Sequence, residues 1–306
     1  MINHVPVVSL GMPVFNGEPF IEEAVQSFLR QTYTNFELII SDNASSDATE
    51  EIGRAFAASD DRIRYLRQSE NQGSVYNFNS LVGLSHGTYF KWAASDDFCK
   101  PTYLQSVVKI LETNPEVVWC HSQSRLVDGN GLPLAGHDGL TPVSETLRAD
   151  YNSPSRHKRF RGILLGTNWC ADSFGLFRKS ALQKTGLLPS CYGSEKVLIG
   201  ELGLMGRYDE VPEALFFQRV HAASSGNMEN LSTQIRYISG KRRKRLHSTR
   251  LELLLGHVRA VNNVPMSSWD RIRCYSTIAQ YLFQLKKWPK IINADLRGYP
   301  LGKYSL

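Results

Sequence analysis

The segment Lys91-Trp92-Ala93-Ala94-Ser95-Asp96-Asp97-Phe98 runs out of an apolar stretch into two adjacent carboxylates. Two other polar clusters follow apolar runs in the same way: Phe15-Asn16 after VPVVSLGMPV, and Asp42-Asn43 after FELIIS. An acidic pair can hold Mg2+ or Mn2+, a carboxylate can accept from a nucleobase N–H, and an aromatic ring can stack on a base. Brought together, the three suit a nucleoside diphosphate. Asp and Asn are also common turn and cap residues, so each cluster alone reads as an ordinary loop, and their convergence carries the argument. No G-x-G-x-x-G follows the first run and no G-x-x-x-x-G-K-[ST] occurs, which removes the dinucleotide fingerprint and the P-loop. Without a glycine-rich anion loop, a metal is the expected pyrophosphate clamp.

Convergence requires a scaffold that places strand ends side by side. VPVVSLGMPV reads as a strand, and Gly17 opens a helix with Ile21, Ala24, Val25, Phe28 and Leu29 at helical spacing. FELIISD is a second strand, and Ser46 or Asp47 is placed to cap the helix TEEIGRAFAAS. IRYLRQ is a third strand, a helix spans about 75 to 84, TYFKWAA is a fourth strand, and Pro101 opens the helix TYLQSVVKILET before the strand VVWCHSQSRLV. This β-α-β-α-β-α-β order predicts an α/β fold: a mostly parallel sheet with helices on both faces, whose ligands bind beyond the carboxyl ends of the strands.

After Asp128 a Gly- and Pro-rich segment reads as a long loop. Regular structure resumes with a helix near 156 to 165, a strand SFGLFR, a helix from Glu195 to Met205 and a strand EALFFQRV. From Leu231 onward only helical patterns appear, and SSWDRIRCYSTIAQYLFQLKKW places Trp269, Ile272, Tyr275, Ile278, Leu282 and Leu285 on one apolar stripe. The expected organisation is 1–128 for donor binding, 129–230 for acceptor binding and catalysis within the same domain, and 231–306 as a basic helical extension.

The chain has 306 residues, 42% of them hydrophobic, enough for one large core. Its five cysteines are scattered without a C-x-x-C pair, which argues against a zinc site or disulfide framework and for a reducing, cytoplasmic setting. No leader and no run long enough to span a membrane is read. The net charge of +6 is uneven, with 15 Lys+Arg against 3 Asp+Glu from Leu231 to the end, including KRRKR at 241–245. That tail has three readings: a solvated helix face, a contact with an anionic membrane, or nucleic-acid binding, the last unsupported by any recognised module.

SLGMPVFNGEPFIEEAVQSFLRQTYTNFELIISDNASSDATEE and ENQGSVYNFNSLVGLSHGTYFKWAASDD resemble the nucleotide-sugar-binding half of family 2 inverting glycosyltransferases, which have the GT-A fold. The motifs are Gln31-Thr32-Tyr33, Asp42-Asn43-x-Ser45-x-Asp47, Asn71-x-Gly73 and the acidic pair, in the family's order. The resemblance is strong over about 5 to 120 and traceable to about 226. It implies that Pro13, Phe15 and Asn16 line the base pocket, that Glu18 lies near the base or ribose, and that Asp42 accepts from the N3–H of uracil or thymine. It places Asn71, Gly73, Asn79 and Ser95 beside the donor, and makes Asp96 the ligand of a divalent Mn2+ or Mg2+. The first Asp of the usual Asp-x-Asp element is Ala94 here, and the Arg common before the Asn79 position is Phe78. In related enzymes a histidine placed like His221 closes the metal site, and an arginine placed like Arg219 faces the donor.

Displacing the nucleotide in one inverting step needs a carboxylate that takes the acceptor hydroxyl proton. Glu195 aligns with the family's catalytic Asp, one methylene longer, while Glu201 lies about 240° around the same helix and faces elsewhere. Trp169 and Asp172 sit where relatives shape the acceptor pocket. The implied activity is metal-dependent transfer of a hexosyl or N-acetylhexosaminyl group from a nucleotide-sugar donor, with UDP favoured, to a glycan or lipid-linked acceptor. The implied setting is bacterial surface polysaccharide synthesis, in the cytoplasm or on the inner face of its membrane. The rival readings are a nucleotidyltransferase, which lacks the expected Gly- and Lys-rich loop, and a non-catalytic nucleotide-sugar or glycan-binding protein in which Ala94 weakens the metal site.

Overall fold

A computed structural model describes residues 5–134, 150–166, 171–191, 193–222, 224, 231–240 and 249–283. Eight strands form one sheet: β1 (Val8–Val14), β2 (Phe36–Asp42), β3 (Ile63–Arg67), β4 (Tyr89–Trp92), β5 (Phe98–Cys99), β6 (Val117–Val127), β7 (Leu176–Arg178) and β8 (Arg207–Arg219). Their order is β3-β2-β1-β4-β7-β6-β8-β5. The first four in that order are parallel, β7 is antiparallel to both neighbours, β6 and β8 are parallel, and β5 runs antiparallel to β8. Strands β1 to β4, β6 and β8 therefore all end at one edge of the sheet.

The helices are α1 (Ile21–Leu29), α2 (Thr49–Ser59), α3 (Ser74–Leu84), α4 (Tyr103–Thr113), α5 (Arg156–Gly166), α6 (Lys179–Leu182), α7 (Ser194–Met205), α8 (Leu231–Ser239), α9 (Thr249–Asn263) and α10 (Ser268–Leu282), with a 3-10 turn at Ala171–Phe174. Strands β1 and β2 are buried at all seven positions, as strands covered on both faces must be. One core cluster packs Val8, Leu10 and Met12 against Val25 and Phe28 of α1 and Leu104 and Val107 of α4; a second packs Ile39, Phe90 and Trp92 against Leu81 of α3 and Leu198 of α7. Gln31 ties these parts together. Its amide donates to the Ser27 and Lys100 carbonyls and accepts from the Leu104 N–H, which accounts for a buried glutamine in the Gln31-Thr32-Tyr33 motif.

Strands β2 and β6 and helix α2 fall at the positions read from the pattern. The two-residue β5 and the one-turn α6 are too short to show a period. The strand read in SFGLFR keeps only Leu176–Arg178, because its first part turns as a 3-10 helix. Strand β8 begins at Arg207, well before the EALFFQRV run, because the polar stretch around Pro212 still pairs with β6 across irregular register. Helix α1 starts at Ile21 rather than at Gly17.

Helices α9 and α10 pack on α5 and α7 through Phe160, Leu164, Leu204, Ala260, Val261, Cys274, Ile278 and Tyr281. This corrects the expected stripe of α10. The face it buries carries Cys274, Thr277, Ile278 and Tyr281, whereas Trp269 and Ile272 are about 60% exposed. Both faces carry apolar residues, so periodicity alone does not say which one meets the core.

Candidate active site

The carboxyl edge of the sheet gathers the loops after β1, β2, β3, β4, β6 and β8, and the first turn of α7. Because α7 crosses back to the parallel strand β8, its N-terminus lies at the edge where β8 ends. Topology thus brings Asn16, Asp42, Asn71, Asp96, Glu195 and His221 to one side of the molecule from six separate stretches of chain.

The loops after β1 and β2 are laced to each other. Asn16, at φ 54°, donates its backbone N–H to Ser45 Oγ (2.8 Å) and accepts from the Ser46 N–H through Oδ1 (2.9 Å). Glu18 Oε2 accepts from the Ala48 N–H at the start of α2 (3.0 Å), while Asp47 accepts from the Glu18 N–H and from Thr49. These carboxylates serve the free N–H groups that begin α2, where negative charge is favoured. Phe15 is left 43% exposed above Pro13, which is buried in the strand. Asp42 is fully buried: Oδ1 accepts from the Ser45 N–H (2.8 Å), and Oδ2 accepts from Tyr65 Oη (2.6 Å) and Arg67 Nη1 (2.5 Å).

Asn43 and Asn71 shape the next loop. Asn43 donates to Asn71 Oδ1 and the Gly73 carbonyl and accepts from the Gln72 N–H; Asn71 Oδ1 also accepts from the Gly73 N–H. Gly73 has φ 87° and ψ 159°, a backbone conformation open essentially to glycine alone. A Cβ there would stand 2.4 Å from the backbone N of Gly240, just past the end of α8.

The tip after β4 is built around two unequal carboxylates. Asp97 is buried, and Oδ1 accepts the Arg219 N–H (2.8 Å); burial, with Asp96 beside it, pushes its pKa well up, against the opposing pull of that N–H, Lys91 and Arg219. Asp96 remains partly exposed and its Oδ2 lies 3.0 Å from His221 Nε2. Arg219 is buried and turned inward as a brace. Its guanidinium donates to the carbonyls of Asp96 and Gly129 and to Glu23 Oε2, and lies over the rings of Phe20 and Phe98. Lys91 is fully buried beneath this tip, donating to the Phe174 carbonyl between the rings of Tyr103 and Phe216; burial lowers its pKa to about 8. Ser95 Oγ stands beside Gly17, so the first and fourth loops approach closely.

Glu195 lies in the first turn of α7, half-buried, and burial raises its pKa above the ordinary carboxylate value. Glu201, on another face of α7, accepts from the Gly186 N–H (3.0 Å), as its angular offset predicted. Sequence reasoning missed Tyr237. Burial around its phenol, and then the charges of Asp96 and Glu195, push its pKa up to about 12, while its hydrogen bond with Ser74 works the other way. This tyrosine on α8, 39% exposed, therefore lies within electrostatic reach of both carboxylates, although α8 belongs to the segment read as an extension. Next to it a cleft of about 520 Å3 opens between α3 and the end of α8, bordered by Tyr76, Asn79, Ser80, Ser190, Ile238 and Ser239.

Other candidates lie elsewhere or outside the described residues. Asn79 clamps the neighbouring loop, exchanging hydrogen bonds with the backbone N–H and C=O of Leu188 (3.1 and 2.9 Å). Asp172 is buried and accepts from Tyr208 Oη (3.0 Å). Trp169 and the KRRKR run lie outside the described residues.

The glycosyl transferase family 2 profile matches residues 9–186, more than half of the chain. The chain belongs to glycosyl transferase family 2. This family 2 enzyme is 24% identical over 228 residues to an uncharacterized glycosyltransferase of Haemophilus influenzae, covering 74% of this chain and 69% of that protein. It is 34% identical over 117 residues to the uncharacterized glycosyltransferase EpsJ of Bacillus subtilis, covering 38% of this chain and 34% of that one, so its match spans a third to two thirds of these relatives' length. Among solved structures it is similar to Staphylococcus aureus TarS 1-349 in complex with UDP-GlcNAc, with TM-score 0.63 and 15% identity over 94% of this chain and 79% of that chain. It also resembles the mannosyltransferase PcManGT of Pyrobaculum calidifontis in complex with GDP-Man and Mn2+, with TM-score 0.53 and 15% identity over 96% and 86%. At these identities the likeness establishes the GT-A type fold.

Among the described residues no group of three or more His, Cys, Asp and Glu side chains converges as a metal cage. What converges is the pair Asp96 and His221, a hard carboxylate just before β5 and an imidazole just after β8, the strand that pairs with β5. This pair fits a divalent ion that draws its other ligands from phosphates and water, the mode in which Mg2+ is commonly held.

Proposed function

We propose that this enzyme transfers a sugar with inversion from a UDP-sugar to a hydroxyl of a glycan or lipid-linked acceptor in bacterial surface polysaccharide synthesis. The observation that carries this reading is the meeting of Asp96–His221, the half-buried Glu195 and Tyr237 at the edge that also presents Phe15 and Asp42. On this reading Phe15 covers the base, Asp42 accepts the uracil N3–H once the loop covering it gives way, and the Asn43–Asn71 lattice holds the loop beside the diphosphate. Asp96 and His221 would hold Mn2+ or Mg2+, which when bound would neutralise charge on the leaving diphosphate. Glu195 receives the acceptor proton as the hydroxyl oxygen attacks the anomeric carbon. Burial raises its pKa, which makes it a stronger base than an exposed glutamate when ionised. Arg219, Asp97 and Lys91 act as positioning groups that fix the Asp96 backbone. The cleft between α3 and the end of α8, with a mostly apolar lining that includes the exposed Tyr76, receives the acceptor. Donor work falls to residues 1–128 and the catalytic base to 129–230 within one sheet, while the acceptor cleft draws its walls from residues 72–80, Ser190 and the end of α8. A lipid-linked acceptor places the reaction at the inner face of the cytoplasmic membrane.

The test is release of nucleotide from UDP-, dTDP-, GDP- and ADP-sugars with and without Mn2+, in wild type, Asp96→Asn and His221→Ala. The expected result is turnover with a UDP-sugar that EDTA abolishes, and a weakened response to metal in both variants. Tight donor binding with no metal-dependent transfer or hydrolysis sinks the enzymatic reading in favour of a binding protein. Metal-independent turnover unaffected by either substitution removes Asp96 and His221 from the mechanism.

A further inference from the structure

We propose that the outer face of the α9–α10 hairpin is a docking surface for an anionic lipid bilayer, an assignment that rests on the membrane-facing acceptor above and names the residues that make the contact. Of the eleven large apolar side chains exposed among the described residues, six lie in this hairpin: Leu251, Leu255, Trp269, Ile272, Tyr275 and Phe283. Trp269, Ile272 and Phe283 are 61%, 59% and 76% exposed. At 100° per residue they fall within a sector of about 60° on α10, well away from the buried stripe of Cys274, Thr277, Ile278 and Tyr281. Tyr275 Oη donates to Asn262 Oδ1 (2.7 Å), which joins α10 to α9 at the seam between this stripe and Leu251 and Leu255.

A water-facing helix has no reason to present tryptophan, isoleucine and phenylalanine in one line, and such a cluster marks an interaction surface. Charge decides which partner. The chain from Leu231 onward carries 15 Lys+Arg against 3 Asp+Glu. Arg273 lies 4.9 Å over the Trp269 ring, and Arg259 is exposed on the neighbouring helix. The acidic Asp270 is engaged with Ser267 and Arg156. Immediately beyond Phe283 the sequence continues through Lys286, Lys287 and Lys290. A second copy of the chain would bring two strongly positive segments together, whereas anionic headgroups accept arginine and lysine while the acyl boundary accepts the apolar stripe. Tryptophan, with an apolar body and an N–H, is suited to that boundary. No described helix is long and apolar enough to cross a membrane, and α10, about 22 Å long, fits an orientation in the plane of the interface.

The experiment is co-sedimentation of the full chain with vesicles of phosphatidylcholine and phosphatidylglycerol in a two-to-one ratio, and with vesicles of phosphatidylcholine alone. Wild type is compared with Trp269→Ser/Ile272→Ser/Phe283→Ser and with Arg259→Gln/Arg273→Gln. Circular dichroism and vesicle-free nucleotide release verify that each variant is folded. The expected result is binding to anionic vesicles only, reduced at least about tenfold in the triple variant and about fivefold per removed charge at low salt. If wild type ignores both kinds of vesicle, the membrane-facing reading fails and this surface fails with it. If wild type binds and the triple variant binds equally well, the membrane reading stands and this surface is overturned. A wild-type dimer on size-exclusion chromatography that becomes monomeric in the triple variant, without vesicle binding, assigns the face to a second copy and also overturns the proposal.

Discussion

The contact between the Asn71–Gly73 loop and the end of α8 is predicted to control donor binding, and Gly73→Ala is the perturbation that tests it. Gly73 occupies φ 87°, ψ 159°, where a side chain costs on the order of 1–3 kcal/mol. The added Cβ would also stand 2.4 Å from Gly240 N, 2.5 Å from Ser239 C and 2.6 Å from the Ile238 carbonyl oxygen. All three are backbone atoms, so no side-chain rotation relieves the clash, and either the loop or the end of α8 must move. The combined cost is at least about 2 kcal/mol, equivalent to a Tm drop of about 4–8 °C in a domain of this class. Part of it falls on the donor site, because the Gly73 N–H and C=O complete the Asn43–Asn71 lattice, and a donor KM raised about tenfold corresponds to about 1.4 kcal/mol. Gly83→Ala is the internal control. It lies in the same helix-bearing segment, is exposed, and a Cβ there meets nothing within 4 Å. That change is expected to stabilise the protein by up to about 0.5–1 kcal/mol with no effect on the donor. Differential scanning calorimetry and initial-rate kinetics read both variants. Gly73→Ala with wild-type Tm and donor KM, or equal destabilisation by the two substitutions, refutes the contact argument.

Two further predictions follow from buried titratable groups. Glu195→Gln is expected to lower kcat by about 10²–10⁴ with donor KM little changed. In wild type the rate should fall, as pH drops, through a pKa above the ordinary glutamate range, since the base works ionised and burial raises its pKa. An acid limb at the ordinary carboxylate value, or one retained in the Gln variant, would contradict this. His257 is buried between Phe160 and Tyr281, and burial with Lys196 nearby depresses its pKa to about 3. The folded state therefore binds fewer protons than the unfolded chain between about pH 3 and 6.5, so this contribution is full above 6.5 and lost as pH falls. About 2 kcal/mol is lost from pH 6.5 to 5 at roughly 1.4 kcal/mol per unit. Because the raised carboxylates Glu195 and Glu201 slope the other way, the reading is the difference between wild type and His257→Leu in urea unfolding across pH. Parallel stability curves would exclude a neutral, buried His257.

The first 128 residues were legible because their elements are long and locally encoded. FELIISD, TEEIGRAFAAS and VVWCHSQSRLV carry their periods and breakers within the run, and strand ends can be listed from sequence. Their order also implied a parallel sheet with its site at the carboxyl edge, and the residues Asn16, Asp42 and Asp96 could be picked out on that basis, whereas Asn71 came from the family resemblance. The orientation of long side chains was not legible. Arg219 points into the protein, and Asn79 grips the Leu188 backbone, because their partners come from segments about 90 to 200 residues away.

Sequence alone determined the family motifs, the strand and helix order, the substitution of Ala94 in the acidic element and the basic character of the last segment. These are properties of residue type and spacing within one stretch of chain. Only the tertiary structure decided that His221 reaches Asp96 across 125 positions, that Asp97 is buried while Asp96 is partly exposed, that α8 brings Tyr237 within electrostatic reach of Asp96 and Glu195, and that Trp269 and Ile272 face outward. Each depends on packing between distant elements. A short-range pattern can say that a helix has two apolar faces, but the choice between them is made by the surface it meets.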